Sequence, residues 1–280
     1  IGILVTGVTK GSRIMSESKL KSARNLTTGS IVNAIDGLVL WLDATDNTTI
    51  ATGTAGSGVY TNAPNDNSNI TDWKDQNPHT SSPAIVSAAL STNRPTYIKN
   101  GIGGLPTLQF NGTLNHLLNA NITLISPNNP TYTIIGVWQT NVKAVQIIFN
   151  QTDAAFSCNG VYAGMFTSTT SLNAWGCGMG FDYGSLPFNI KTSYISIVRV
   201  NKNQTNKVNI YLNGSSQSGS PPSIANLGSG IIGIGSSADG IGYHFNGYIS
   251  EIIVFNRALS NSDIAGVQNY LSSKYSINLD

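Results

Sequence analysis

The sequence predicts a mainly β fold with one helix at each end. Of its 280 residues, 29 are glycine and only 10% are charged. Short apolar, β-branched runs alternate with intervals rich in Asn, Ser, Thr and Gly, which is typical of a many-stranded, loop-rich fold. The closing stretch 247–275 changes from a continuous apolar run to a helical period. The length allows one large β domain or two small ones.

The first 28 residues predict a helix, and residues 29–35 a linker to the β domain. Residues 1–8 are apolar apart from Thr6, and basic side chains follow as far as Arg24. This apolar run is too short to cross a bilayer, which requires roughly 20 residues. In helical geometry Leu4, Val8, Met15 and Leu20 share one stripe. The run starts at residue 1 without Met, and we expect it to be the end of a longer apolar segment.

The segment "IGILVTGVTKGSRIMSESKLKSARNLT" is similar to the latter part of the N-terminal helix of type IV pilin-like proteins and pseudopilins. This resemblance implies a homopolymeric surface filament, and a helix that contacts the membrane before assembly. It also implies an extracellular or cell-surface location. The alternative is an amphipathic helix that packs against the β domain of the same chain, residues 36–280, which we call the head. In the filament, neighbouring chains would bury the apolar side chains Ile1, Ile3, Leu4, Val5 and Val8.

The head opens with a strand at 36–44, in which Trp41 is a large core residue. Residues 45–69 are mostly Thr, Gly, Asn, Ser and Asp, and predict a long surface loop that contributes nothing to the core. Ser260 and Asp263 form a near capping box, so a short amphipathic helix should begin there. Further strands are expected at Tyr132–Gln139, Val145–Asn150, Tyr194–Asn201, Lys207–Asn213, Ile231–Gly235 and Tyr248–Phe255.

Five blocks of the head resemble laminin-G-like domains of the concanavalin A-like lectin and glucanase superfamily. They are "GLVLWLDA", the "WKD" of residues 73–75, "RPTYIKNGIGGLPTLQFNG", "NIYLNG" and the closing "GYISEIIVFNRALSNSDIAGVQNYLSSKY". The blocks occur in the family's order between residues 36 and 275. The resemblance implies a two-sheet antiparallel jelly-roll sandwich over 36–280, with a short C-terminal helix.

Catalytic patterns are missing from the sequence. A glycosidase needs two carboxylates across the scissile bond, and enzymes of the resembled superfamily carry a Glu-x-Asp-x-(x)-Glu run. The chain has only Glu17 and Glu251, and Glu251 fits a structural hydrogen-bonding role better than that of an acid catalyst. The histidines His79, His116 and His244 are scattered through loops without a partner motif. The sequence therefore predicts a protein that is not an enzyme.

Cofactors and nucleic acid are not expected. The net charge of +2 provides no broad field for a polyanion. Asp75 is expected to bind loop backbone. A calcium site at Asp43 or Asp75 is the weaker alternative, because calcium requires several clustered oxygen ligands.

Two further sets of residues carry hypotheses. Cys158 and Cys177 favour one disulfide over two buried thiols, and a disulfide would place the head outside the cytoplasm. Aromatic side chains on Gly-rich loops suggest a glycan site, although each also fits a packing role: Trp175, Tyr183, Tyr243 and His244. Of three non-enzymatic functions, we favour a structural subunit that polymerises through its N-terminal helix into a surface filament and displays a lectin-like head. The alternatives are an envelope-held carbohydrate-binding or adhesive module and a subunit of a viral particle or tail fibre.

Overall fold

The computed structural model describes residues 2–57, 59–60, 63–126, 131–153, 163–176, 180–205, 207–220 and 230–280, with side chains omitted for 2–13, 153, 175–176 and 180–184. Two α-helices flank the strands: α1 (Gly2–Thr28) and α2 (Asn261–Tyr275). The strands are β1 (Leu38–Asp43), β2 (Ile50–Ala51), β3 (Asp72–Lys74), β4 (Ile85–Ser87), β5 (Thr96–Ile98), β6 (Thr107–Asn111), β7 (Leu117–Asn119), β8 (Thr131–Thr140), β9 (Gln146–Asp153), β10 (Ala163–Thr167), β11 (Ser171–Gly176), β12 (Gly180–Pro187), β13 (Ser193–Asn201), β14 (Val208–Leu212), β15 (Ser215–Gly219), β16 (Gly230–Ile234) and β17 (Asn246–Phe255).

The strands form two antiparallel sheets. In the first sheet the order is β15-β14-β13-β8-β17-β6-β5, and β1 pairs with the C-terminal half of β17. In the second sheet the order is β12-β11-β10-β9-β16-β7-β4-β3-β2. The predicted two-sheet sandwich with a helix at each end is confirmed.

The main core lies between the two sheets, where side chains of alternating strand positions meet. Trp73, Trp138, Phe110 and Phe245 are among its buried aromatic residues. Trp138 contacts Phe245 edge to face at 6.3 Å and donates a 2.8 Å hydrogen bond to Ser196. The polar end of this large side chain is therefore satisfied inside the core.

A second apolar cluster lies on the outer face of the first sheet, beneath the two helices. Ala23 of α1 and Val267 and Leu271 of α2 are buried there with Trp41 and Ile253. The molecule therefore has three layers, consisting of helices, first sheet and second sheet. No helix within the described residues is long and apolar enough to cross a membrane.

Helix α2 begins and turns as its sequence predicts. The Ser260 side chain accepts from the Asp263 amide, and the Asp263 side chain accepts from the Ser260 amide, so the capping box is complete. The buried side chains Ile264, Val267, Tyr270 and Leu271 occupy one face. Burial of this face fixes the helix on the sheet.

Two local expectations were wrong. The stretch 45–69 is not wholly a surface loop, because Ile50 and Ala51 form β2 and are 0% and 2% exposed. One apolar pair among polar residues was too short to show strand periodicity. The expected list of strands also omitted β10 to β12, where Gly and Ser interrupt the β-branched pattern.

Candidate functional site

A fully buried cluster of charged groups joins β1, β17 and α2. The Lys274 Nζ atom lies 2.6 Å from Asp43 Oδ2 and 2.7 Å from Glu251 Oε2, and all three side chains are at most 1% exposed. Asp43 and Glu251 are cross-strand partners in the β1–β17 ladder, so their side chains emerge side by side on the outer face of the sheet. One ammonium thus neutralises part of the charge of two carboxylates.

Glu251 is the hydrogen-bonding centre of this cluster. Its Oε1 accepts from Trp41 Nε1 at 2.7 Å and from the Tyr270 hydroxyl at 2.9 Å, and its Oε2 accepts from the Tyr275 hydroxyl at 2.8 Å. These contacts confirm the predicted structural role of Glu251. Because the donating side chains enclose the Glu251 carboxylate, a substrate cannot reach it.

The pKa values of the two carboxyl groups are shifted in opposite net directions. Desolvation raises the pKa of Glu251, and the nearby ammonium of Lys274 only partly offsets it. Desolvation also raises the pKa of Asp43, but the charge of Lys274 and the hydrogen bonds from Lys274 and Thr45 outweigh it. The pKa of Asp43 therefore lies below its ordinary value.

The C-terminal half of α1 is tied to the same cluster. The Thr27 hydroxyl lies 3.2 Å from Asp43 Oδ2 and 3.1 Å from the Tyr270 hydroxyl. Arg24 donates to the Thr45 carbonyl at 2.8 Å and to Asn47 Oδ1 at 2.7 Å. The helix is therefore positioned by polar contacts as well as by burial of Ala23.

The two calcium candidates have separate partners. Asp75 Oδ1 accepts from the backbone amides of Trp41 in β1 at 2.8 Å and of Asn77 at 2.9 Å. The contact with Asn77 confirms the predicted hydrogen bond to loop backbone, and the contact with Trp41 ties that loop to the strand. Asp43 contacts Lys274 and Thr45 instead. In the part of the chain that the structure describes, no three His, Cys, Asp or Glu side chains are grouped to hold a metal ion.

The four proposed glycan-binding residues fall into two separate pairs. Tyr243 and His244 lie in the loop between β16 and β17, where Tyr243 is 38% exposed and has a φ of 55°. Trp175 lies on β11 and Tyr183 on β12, and their side chains are outside the described set. Strands β9 and β10 separate β11 and β12 from β16 in the sheet.

Two of the three histidines, expected to be scattered, are in contact. The rings of His116 and His244 stack with centroids 6.0 Å apart, and Asn93 Nδ2 lies 3.1 Å from His116 Nε2. Burial lowers the pKa of His116, and the electrostatic interaction with the neighbouring imidazole of His244 lowers it further. Only the fold brings these two residues together, because in the sequence His116 precedes β7 and His244 follows β16.

An open cleft of about 520 Å³ lies between α1 and the β5–β6 edge of the first sheet. Sequence reasoning missed it, since it exists only where the helix docks beside that edge. The glycines and Pro106 of the block at 94–112 indicated a sheet edge and turns there but not a cavity. The cleft is lined by Ser16, Glu17, Leu20, Arg24, Asn47, Ala63, Pro64, Tyr97, Lys99, Asn100, Gly104 and Pro106.

The proposed assembly residues lie at the start of α1 or before it. Ile1, Cys158 and Cys177 are outside the described residues. Ile3, Leu4, Val5 and Val8 belong to α1, with only their backbone described. Further along the helix, Ile14 and Met15 are 64% and 73% exposed.

Comparisons with known proteins agree with the observed architecture. A laminin-G-type family model, described as the concanavalin A-like lectin/glucanases superfamily, matches residues 139–265, which is less than half of the chain. No curated protein matches the sequence.

The solved structures that resemble this one include sialidases of Trypanosoma rangeli. A complex with sialic acid is 12% identical with a TM-score of 0.50, over 88% of this chain and 34% of the sialidase. A complex with 2,3-difluoro-KDN is 13% identical with a TM-score of 0.51, over 95% and 40%. The chain thus spans about a third to two-fifths of these proteins. At this identity the likeness concerns the fold alone, and the observed two-sheet antiparallel sandwich fits a concanavalin A-like fold.

Proposed function

We propose that the chain is a non-enzymatic carbohydrate-binding module held at a cell envelope through its N-terminal helix. The observation that carries this proposal is the open cleft between α1 and the β5–β6 edge of a lectin-like sandwich. The fold by itself hosts many functions, so the argument rests on the chemistry of the cleft. The burial of Glu251 supports a binding role over hydrolysis.

The dimensions and lining of the cleft suit a sugar. Ligand sites typically enclose about 300–1,000 Å³, and the cleft falls within that range. The amides of Asn47 and Asn100 can donate and accept hydrogen bonds, as the hydroxyls of a sugar require. Arg24 fixes Asn47 through a 2.7 Å hydrogen bond, which reduces the ordering needed on binding. The apolar part of the lining offers a surface for sugar C–H groups.

The test is a glycan array that includes neutral and acidic sugars, followed by calorimetry on any glycan retained. Asn100→Ala and Lys99→Ala remove polar groups from the cleft, and each should weaken binding by about tenfold, the equivalent of one hydrogen bond of about 1.4 kcal/mol. Lys21→Ala is the matched control, because Lys21 is exposed on α1 and is not part of the lining. Unchanged affinity in both cleft variants would refute the cleft as the site.

A filament subunit is the second candidate, and it is compatible with the first. The exposed side chains of Ile14 and Met15 favour it, since the helix presents them to solvent beyond its docked half. In a filament, neighbouring helices would cover them together with Ile3, Leu4, Val5 and Val8.

Electron microscopy of the native material tests the filament proposal. Met15→Glu places a charge on the exposed helix surface and should abolish filaments, whereas Lys21→Glu should affect them less. Monomers or closed particles in native material would refute assembly through α1. Closed particles would favour the capsid-like alternative.

A further inference from the structure

The buried Lys274 cluster has a geometry suited to covalent chemistry. A primary amine lies 2.6 Å from one carboxylate oxygen and 2.7 Å from another, with solvent excluded from all three groups. The aromatic residues Trp41, Tyr270 and Tyr275 surround them. A cluster that only stabilised the fold could use apolar side chains, because buried ion pairs are often no better than well-packed hydrophobic residues.

We propose that Lys274 and Asp43 become joined by an intramolecular amide bond, formed in the folded chain with Glu251 as the proton carrier. The Asp43 carboxyl carbon is the electrophile and Lys274 Nζ is the nucleophile. Glu251 is the only further carboxylate in contact with Nζ among the described residues. The site would therefore be a self-modifying cross-link, which is separate from the cleft and independent of glycan binding.

The reaction is balanced without an oxidant or cofactor. One proton moves from Nζ to Asp43 Oδ2 across their hydrogen bond, which leaves a neutral amine and a neutral carboxyl group. Nζ then attacks the Asp43 carbon, while Glu251 accepts a second proton from Nζ and passes it to Oδ2. The carbon–Oδ2 bond breaks and one water molecule leaves. Glu251 ends in its starting state, and Nζ keeps one hydrogen as the amide N–H.

Two features of the site favour this condensation over its reversal. The amine is held against the carboxyl group, so the reaction is intramolecular. In such reactions the effective concentration of one reactant at the other reaches values on the order of 10⁵–10⁸ M. The neutral pair is the minor state, because Lys274 holds the pKa of Asp43 below its ordinary value; exclusion of solvent contributes by keeping water from competing with the amine for the Asp43 carbon. Once water has left, the closed site holds little of it to hydrolyse the amide.

The hydrogen bonds around the cluster assign separate roles to the two carboxyl groups. The Thr45 amide and hydroxyl both donate to Asp43 Oδ1, at 2.8 Å and 2.7 Å. These donors would stabilise the negative charge that develops on Oδ1 during attack, as an oxyanion hole does. The oxygens of Glu251 are held by Trp41, Tyr270 and Tyr275, which keep its Oε2 beside Nζ.

The cross-link would have a mechanical consequence. It would join the last residue of β1 to the last turn of α2, so that the segment from 43 to 274 becomes one covalent ring. Force applied between α1 and the C-terminus would bypass strands β2 to β17. A covalent cross-link of this kind suits a protein that is held at a surface by one end.

The intact mass of the full chain tests the proposal directly. The protein is purified, denatured and fully reduced, so that oxidation of Cys158 and Cys177 cannot mimic the result. The expected mass is lower than the sequence mass by one water molecule. After proteolysis, the peptide containing Asp43 should be linked to the peptide containing Lys274. The full sequence mass, or a water loss located within one linear peptide, would overturn the proposal.

Variants identify the chemistry of each group. Glu251→Gln preserves the side-chain shape and should slow formation of the cross-link at least tenfold. Asp43→Asn should release ammonia in place of water and still reach the mass of the cross-linked wild-type chain. Lys274→Arg should keep its full mass. Formation at the wild-type rate in Glu251→Gln would contradict the role of Glu251. The wild-type mass decides the proposal even if a variant fails to fold.

Discussion

The buried cluster both stabilises the fold and holds the C-terminal half of α1. Removing the hydroxyl group of one or the other tyrosine beside Glu251 separates these two roles. Tyr275→Phe deletes the 2.8 Å bond to Glu251 Oε2. Tyr270→Phe deletes the 2.9 Å bond to Oε1, the 3.1 Å contact with Thr27 on α1 and the 3.1 Å bond that the hydroxyl accepts from Lys274 Nζ. Both variants keep the aromatic ring, so neither opens a large cavity.

The expected magnitudes follow from these contacts. A hydrogen bond to a charged group contributes about 1.5–3 kcal/mol, which is the loss expected for Tyr275→Phe. Tyr270→Phe also loses a neutral contact worth about 1 kcal/mol and the bond from Lys274, so its loss should exceed that of Tyr275→Phe by at least about 1 kcal/mol. Only Tyr270→Phe should loosen the C-terminal half of α1, because only Tyr270 contacts Thr27.

Two measurements test this reasoning. Urea unfolding followed by tryptophan fluorescence gives the free energies of unfolding. Hydrogen exchange of residues 20–28 reports the opening of α1. The reasoning is refuted if both variants lose less than about 0.5 kcal/mol, or if both accelerate exchange in α1 equally.

Two further predictions concern other parts of the fold. Because the pKa of His116 is lowered from 6.5 in the folded state, its contribution to stability is present above pH 6.5 and is lost as pH falls through the folded-state pKa. His116→Gln should therefore reduce the loss of urea resistance between pH 7.5 and 5, and an unchanged pH dependence would count against this. Gly103→Ala should cost more than Gly56→Ala in a thermal melt. Both glycines have positive φ, but only at Gly103 would a Cβ overlap a neighbouring atom, the Tyr275 carbonyl oxygen. Backbone strain alone accounts for about 1–2 kcal/mol, and equal losses would contradict the close contact.

Much of the fold was predictable because its signals are local. Strand β8 was expected at Tyr132–Gln139 and lies at Thr131–Thr140, since most of its residues are β-branched or aromatic. The start of α2 followed from Ser260 and Asp263, three residues apart. Strand β2 was missed because Ile50 and Ala51 acquire their burial from β3, which the local sequence does not show.

The functional residues were harder to predict because their chemistry depends on distant partners. Lys274 was not identified, although its place one turn after Tyr270 and Leu271 puts it on the buried face of α2. That spacing was the available signal. A lysine at a helix end is more often exposed, and its burial was evident only once Asp43 and Glu251 were located beneath it.

The sequence by itself determined the alternation of strands, the helix at each end and the capped start of α2, because periodicity and capping act over a few residues. The tertiary structure alone decided which polar groups meet. Lys274 pairs with Asp43 across 231 positions, and His116 stacks on His244 only because β16 lies beside β7. The cleft exists because α1 docks beside the β5–β6 edge. Such contacts depend on strand register and helix docking, which are set by burial of the whole core and not by any one segment.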